Sequence, residues 1–196
     1  MAAVIGALSV PVALASDWPK FGKEGWSVTL PATWRDLSTR SSLRPTAADL
    51  SRRYPRLRPY LVELARLNGP LVPIVAADLT PGSLRHGFLT TVSLRPAAEP
   101  SQAHWFDAVL RDVRADPSVT GPVWHRRRHL RAGQAIELRY RWLLSAPGAS
   151  YRLAVTQFGV RTRGASYMLN CWTTPAQDSA YRSVFERSAA SSRAPS

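Results

Sequence analysis

Between residues 123 and 144 the sequence runs VWHRRRHLRAGQAIELRYRWLL, with six arginines and two histidines among large apolar side chains. Three kinds of chemistry are open to such a stretch. Clustered guanidinium groups hold phosphate or carboxylate through paired hydrogen bonds. His125 and His129, four residues apart, would share one side of a helix and could ligate a metal ion. Alternatively, the charges line the wet side of a sheet. The apolar spacing decides which backbone is present. Ile136, Leu138, Tyr140, Trp142 and Leu144 alternate, a strand pattern that sends Glu137, Arg139 and Arg141 to the other face. In the strand before it, Val123, His125, Arg127, His129 and Arg131 lie on one side. Trp124, Arg126, Arg128 and Leu130 lie on the other. Four residues of strand span ~13 Å, too far for two histidines to share one ion, so no metal is expected. The expected anion-binding face comprises Arg127, His129, Arg131, Arg139 and Arg141, with Arg152, Arg161 and Arg163 near it. The alternative is an ordinary solvated sheet surface. Glu137 is expected to be a cross-strand partner for arginine.

No other stretch announces a reaction. The chain carries no G-x-S-x-G elbow, H-E-x-x-H pair, P-loop or dinucleotide glycine pattern. His86 and His104 stand singly, and the acids are scattered: Asp78 ends a strand, while Asp107 and Asp112 lie on the polar side of a helix. The single cysteine, Cys171, excludes an intrachain disulfide and a multi-cysteine zinc site. Its setting, SYMLNCWTT, reads as a buried strand. The expectation is a protein that is not an enzyme and has no cofactor. A hydrolase assembled from distant residues is the rival. It would need a cleft bringing His86 or His104 to an acid and to a serine or Cys171.

Charge narrows the partners. The formal net charge is +13 and the pI about 11.2, and apart from Lys20 and Lys23 the basic residues are all arginine. A GC-rich genome would account for arginine over lysine, but not for the shortage of acids. Attraction to an anionic envelope polymer or protein is expected. Nucleic acid is the weaker candidate, because no RNP, KH, zinc-finger or helix-turn-helix signature is present.

The first residues, MAAVIGALSVPVALASDWP, form an apolar run ending in Ala-Leu-Ala, with Ala13 and Ala15 fitting the small-residue rule for signal peptidase. Cleavage is expected between Ala15 and Ser16, leaving a secreted or extracytoplasmic protein with no transmembrane anchor. The run is shorter than the ~20 residues a spanning helix needs. No basic residue precedes it, which fits a truncated signal or, alternatively, a buried strand.

The elements that must position these residues follow from pattern. GWSVTLPATW over 25–34 alternates into a first strand. Residues 46–68 read as helix broken at Pro55 and Pro59, closing at Asn68-Gly69. Strands follow at 71–79 and 88–96, then a helix capped by Ser101 and stopped by Asp116-Pro117. Four strands at about 121–131, 134–145, 150–160 and 165–173 are joined by short connections (AGQ, APGAS and TRGAS), which link antiparallel neighbours. Thr174 to Gln177 reads as a capping box opening a last helix with Tyr181, Val184, Phe185 and Ser188 on its stripe. The fold class is α+β: an antiparallel sheet of about seven strands flanked by helices. The expected organisation is a signal peptide at 1–15, a linker at 16–24, one domain at 25–189 and a disordered tail at 190–196.

This order of elements, with the strand-proline-tryptophan opening GWSVTLPATW and the pattern YRLAVTQFGVRTRGASYMLNCW, resembles the PsbP-like superfamily over residues 25–189. That group includes a photosystem II extrinsic subunit, a nuclear-transport factor that binds the Ran GTPase, and bacterial LpqN/LpqT-type secreted lipoproteins, to which the resemblance is greatest. Where members carry a short Ser-Phe motif in the closing helix, this chain has Ser188-Ala189. The resemblance implies an α/β/α sandwich used for non-catalytic binding or scaffolding at the cell envelope. It carries over no catalytic residues, and the lipidated cysteine of the lipoproteins has no counterpart here. The first alternative is a basic cytoplasmic nucleic-acid or polyanion binder, motivated by the charge alone, and the hydrolase is the second.

Overall fold

The computed structural model describes residues 18–67, 72–84, 87–97 and 104–195. The expected signal segment with Ala15 and Ser16 lies outside the described residues, as do Asn68-Gly69, His86 and Ser101.

In chain order the elements are β1 (Lys20–Lys23), β2 (Trp26–Thr29), β3 (Trp34–Asp36), α1 (Arg40–Arg53), α2 (Arg58–Leu67), β4 (Ile74–Asp78) and α3 (Pro81–Leu84). There follow β5 (Thr91–Pro96), α4 (Trp105–Ala115), β6 (Val119–Leu130), β7 (Gly133–Ala146), β8 (Ala149–Arg161), β9 (Ser166–Thr173) and α5 (Asp178–Ser191). Seven strands form one antiparallel sheet in the order β3-β4-β5-β9-β8-β7-β6. The meander of β6 to β9 therefore returns its last strand to β5 and leaves β6 at the edge.

Alternation along the strands gives the sheet two apolar faces. One packs α5 and the β1–β2 hairpin, joining Phe185 and Ala189 to Val28, Leu30, Phe158, Leu169 and Cys171. The other packs α1 and α2, with Leu50, Tyr60, Leu61 and Leu64 against Val75, Leu153 and Val155. Beside them α4 sets Trp105 and Phe106 on Ile136, Leu138 and Met168. Gly159 makes that docking possible, because a Cβ there would lie 3.1 Å from both the Trp105 ring and Ile136. The result is an α/β/α sandwich.

Four local differences from expectation have physical causes. Lys20–Lys23 is not linker: it pairs with β2, Phe21 opposite Val28, through a turn in which Glu24 and Gly25 both have positive φ. Two such residues are the signature of a tight hairpin turn. Helix α1 starts at Arg40, before the expected 46, because Thr39 and Ser42 cap each other's backbone N–H at 3.1 and 3.3 Å. Thr174 to Gln177 is a turn preceding α5. The Thr174 hydroxyl bonds the Gln177 side chain at 3.1 Å instead of a backbone N–H, so no capping box forms. The tail is not loose over its described residues: α5 runs to Ser191, and Arg193 exchanges backbone hydrogen bonds of 2.8 and 3.2 Å with Ser27.

Candidate anion-binding surface

Apart from a turn at Arg131-Ala132, the arginine stretch is strand, as its alternation predicts, but its pairing differs from the expected face. Leu130 pairs with Gly133 across a two-residue turn, Arg131-Ala132. Gly133 is fixed there, since a Cβ would lie 2.2 Å from the Arg161 carbonyl oxygen. From this turn the register sets Arg128 opposite Ala135, Arg126 opposite Glu137 and Trp124 opposite Arg139. Residues paired across an antiparallel ladder share a face. Arg139 and Arg141 therefore stand with Trp124, Arg126 and Arg128, whereas Arg127 and His129, opposite Ile136 and Gln134, occupy the reverse face. The five expected residues do not form one surface. The three-residue AGQ connection expected from sequence is one residue longer than the real turn, and a one-residue change moves every β6 side chain to the other face. Arg131 lies in the turn, Arg152 opposite Leu143 on the Glu137 face, and Arg161 on the reverse face, while Arg163 is exposed in the β8–β9 turn.

The assembled surface is built around a buried carboxylate. The Glu137 side chain is 0% exposed. Its Oε2 accepts from Arg126 Nε at 2.8 Å and Arg128 Nη1 at 2.9 Å, and its Oε1 accepts from Arg139 Nε at 2.7 Å. Glu186 of α5 closes the cluster from above, accepting from Arg139 Nη2 at 2.8 Å and Arg126 Nη2 at 3.3 Å. Burial pushes the Glu137 carboxyl up, but the hydrogen bonds from Arg126, Arg139 and Arg128 outweigh it and hold the group below its ordinary value. Three guanidinium groups against two carboxylates leave one positive charge in excess.

Beside this cluster lies an exposed indole. Trp124 is 45% exposed, with the guanidinium carbons of Arg139 and Arg126 at 4.9 and 5.3 Å from its ring. Arg141, further along β7, pairs with Asp178 at 3.2 Å, and exposed Leu143 continues the face. The indole, the two cations beside it and the carboxylates that hold them form a patch chemically able to take a planar or apolar group that carries negative charge. The reverse face is different in kind: Arg127 leans over Phe106 at 5.6 Å and pairs with Asp107 at 3.2 Å on α4. His125 and His129 stand exposed on the same strand, spaced as the alternation predicts.

The residues considered for catalysis are dispersed. His104 precedes α4, exposed, with Asp107 at 3.7 Å. Cys171 is fully buried on the opposite side of the sheet, against α5, and burial pushes its thiol well up. Asp78 is also buried. It accepts from the Tyr181 hydroxyl and the Thr80 N–H, and burial followed by Asp78 pushes the Tyr181 phenol up, so that it stays a donor. Asp112 is exposed on α4. Sequence reasoning found Glu137 as an arginine partner but missed Trp124, Arg126, Arg128 and Glu186 as parts of the patch. The one available signal was the length of the turn after Leu130.

Fold and surface together define an α/β/α sandwich with a cationic, aromatic patch on its edge ribbon. In structure the chain is similar to the cyanobacterial PsbP of Synechocystis sp. PCC 6803, with a TM-score of 0.54, 14% identity, and 96% of this chain and 97% of that one covered. It is also similar to LpqN, involved in cell envelope biogenesis of Mycobacterium tuberculosis, with a TM-score of 0.49, 12% identity and coverage of 90% and 91%. At these identities the likeness is one of fold. No protein-family model matches the sequence, and no curated protein matches it.

Proposed function

We propose that the protein is a non-catalytic binding module of the cell envelope, working outside the cytoplasm and holding an anionic partner on its β6–β7 ribbon. The observation that carries the reading is Trp124: a large apolar ring left 45% exposed against two arginines whose positions are set by a buried glutamate. A solvated sheet face has no need of such an arrangement, and aromatic and arginine side chains held rigidly together are the usual anchors of interfaces. The net charge of +13 draws anions toward the molecule from any direction. The patch supplies a place for one to stop. The apolar N-terminal run ending at Ala15 supports export.

The test is a titration with poly-L-glutamate and with phosphatidylglycerol vesicles. At ~150 mM salt, charges more than about 8 Å apart are largely screened. Under that condition saturable binding to one of the two is expected, and Trp124→Ala weakens it about tenfold, or ~1.4 kcal/mol. Binding to both that disappears at this salt and ignores Trp124 is charge attraction alone and overturns the reading. So does the absence of binding to either.

A further inference from the structure

The ribbon has a second feature that the patch leaves unexplained. β6 is a 12-residue strand and ends the sheet on its side, so among the described residues no strand lies along its outer edge. Its pairing with β7 is continuous from Trp124 to Leu130. Over those residues every second N–H and C=O is used on the inner side, and the alternate ones face outward in the geometry of a ladder. Before Trp124 the register shifts, with Gly121 at φ 78° followed by Pro122, which limits the pairing edge to Trp124–Leu130. That is ~23 Å of extended backbone.

The side chains along this edge are basic on both sides of the sheet. Arg126 and Arg128 stand with Trp124 on one face, and His125, Arg127 and His129 on the other. A second copy of the chain is a poor occupant, since edge-to-edge pairing would set arginine against arginine. A flat anionic surface such as a bilayer is also a poor fit, because from one face it reaches Arg126 and Arg128 or Arg127, never all three. An extended acidic chain lying along the edge meets both rows at once and satisfies the open backbone groups.

We infer that an acidic segment of a protein partner, about seven residues long, adds to β6 as an eighth strand, its carboxylates alternating to both faces and an apolar side chain meeting Trp124. This rests on the anionic-partner reading above and names the partner's chemistry. Charge complementarity provides the pairing preference, and the ladder fixes the register.

The experiment uses the full chain and the blocked peptide Val-Glu-Glu-Thr-Glu-Glu-Val. Two further versions carry N-methyl groups on the odd or on the even residues. Methylation keeps every carboxylate and removes the donors of one edge of the peptide. The parent peptide is expected to bind and to slow amide hydrogen exchange within 124–130. One methylated version should lose at least tenfold in affinity while the other stays close to the parent. Equal binding of all three peptides overturns strand addition while leaving the Trp124 patch intact, because charge alone would then explain the result. Failure of all three to bind also overturns it, even if poly-L-glutamate binding still responds to Trp124→Ala. Strand addition that ignores Trp124→Ala would instead sink the patch reading and keep the edge.

Discussion

At the scale of single residues the decisive group is Glu137, a fully buried carboxylate held by Arg126, Arg128 and Arg139. Such a group is destabilising without its partners, and the partners would be crowded like charges without it. Glu137→Ala is expected to lower stability by about 3 kcal/mol in chemical denaturation at neutral pH. The pH dependence has a definite sign. The folded-state pKa of Glu137 lies below its ordinary value of 4.5, so the unfolded chain binds the proton more readily. The stabilisation is therefore present above about 4.5 and is lost as pH falls through the lower, folded value. Denaturant midpoints measured downward from pH 6 should fall more steeply in the native protein than in Glu137→Gln. Parallel curves would contradict the assignment. Glu137 was legible in the sequence because it is an acid interrupting an arginine-rich strand. Trp124 was not: within its own strand it reads as a core residue, and only the partner strand shows that its face is open.

At the scale of elements, turns govern what the strands present. The alternation in residues 134–145 fixed β7 closely, since it has one apolar and one mixed face, whereas 150–160 was placed by the short connections on either side of it. It could not fix which row of β6 meets which row of β7, because that depends on one residue of turn length. The hairpin at Lys20–Lys23 was hidden for another reason: KFGK has a weak strand pattern and is held in place by β2 and by the Glu24-Gly25 turn. Helix α4 offers a test of packing. Gly159→Val would force side-chain atoms into the Trp105 ring, which already leaves only 3.1 Å for a Cβ. A loss of roughly 2 kcal/mol is expected from overpacking of this kind. Trp105 fluorescence should change with it, and an unchanged denaturation midpoint would show that α4 is seated less closely than described.

At the scale of the whole molecule, a sandwich core and a surplus of arginine divide the work. The core packs on both faces of the sheet, and the net charge of +13 attracts anions over long range at low salt. Among the described residues no helix is long and apolar enough to cross a membrane. Export is checked by N-terminal sequencing of protein recovered from culture medium after expression of the gene. A mature chain beginning at Ser16 is expected, and an intact Met1 retained in cells would contradict it. The binding account itself is tested most directly by an amide and side-chain nitrogen–proton correlation spectrum recorded while poly-L-glutamate is added at ~150 mM salt. The indole N–H of Trp124 and the Nε–H signals of Arg126 and Arg139 should move first and saturate together. Shifts spread evenly over arginines on every side of the molecule, with the Trp124 signal still, would contradict it.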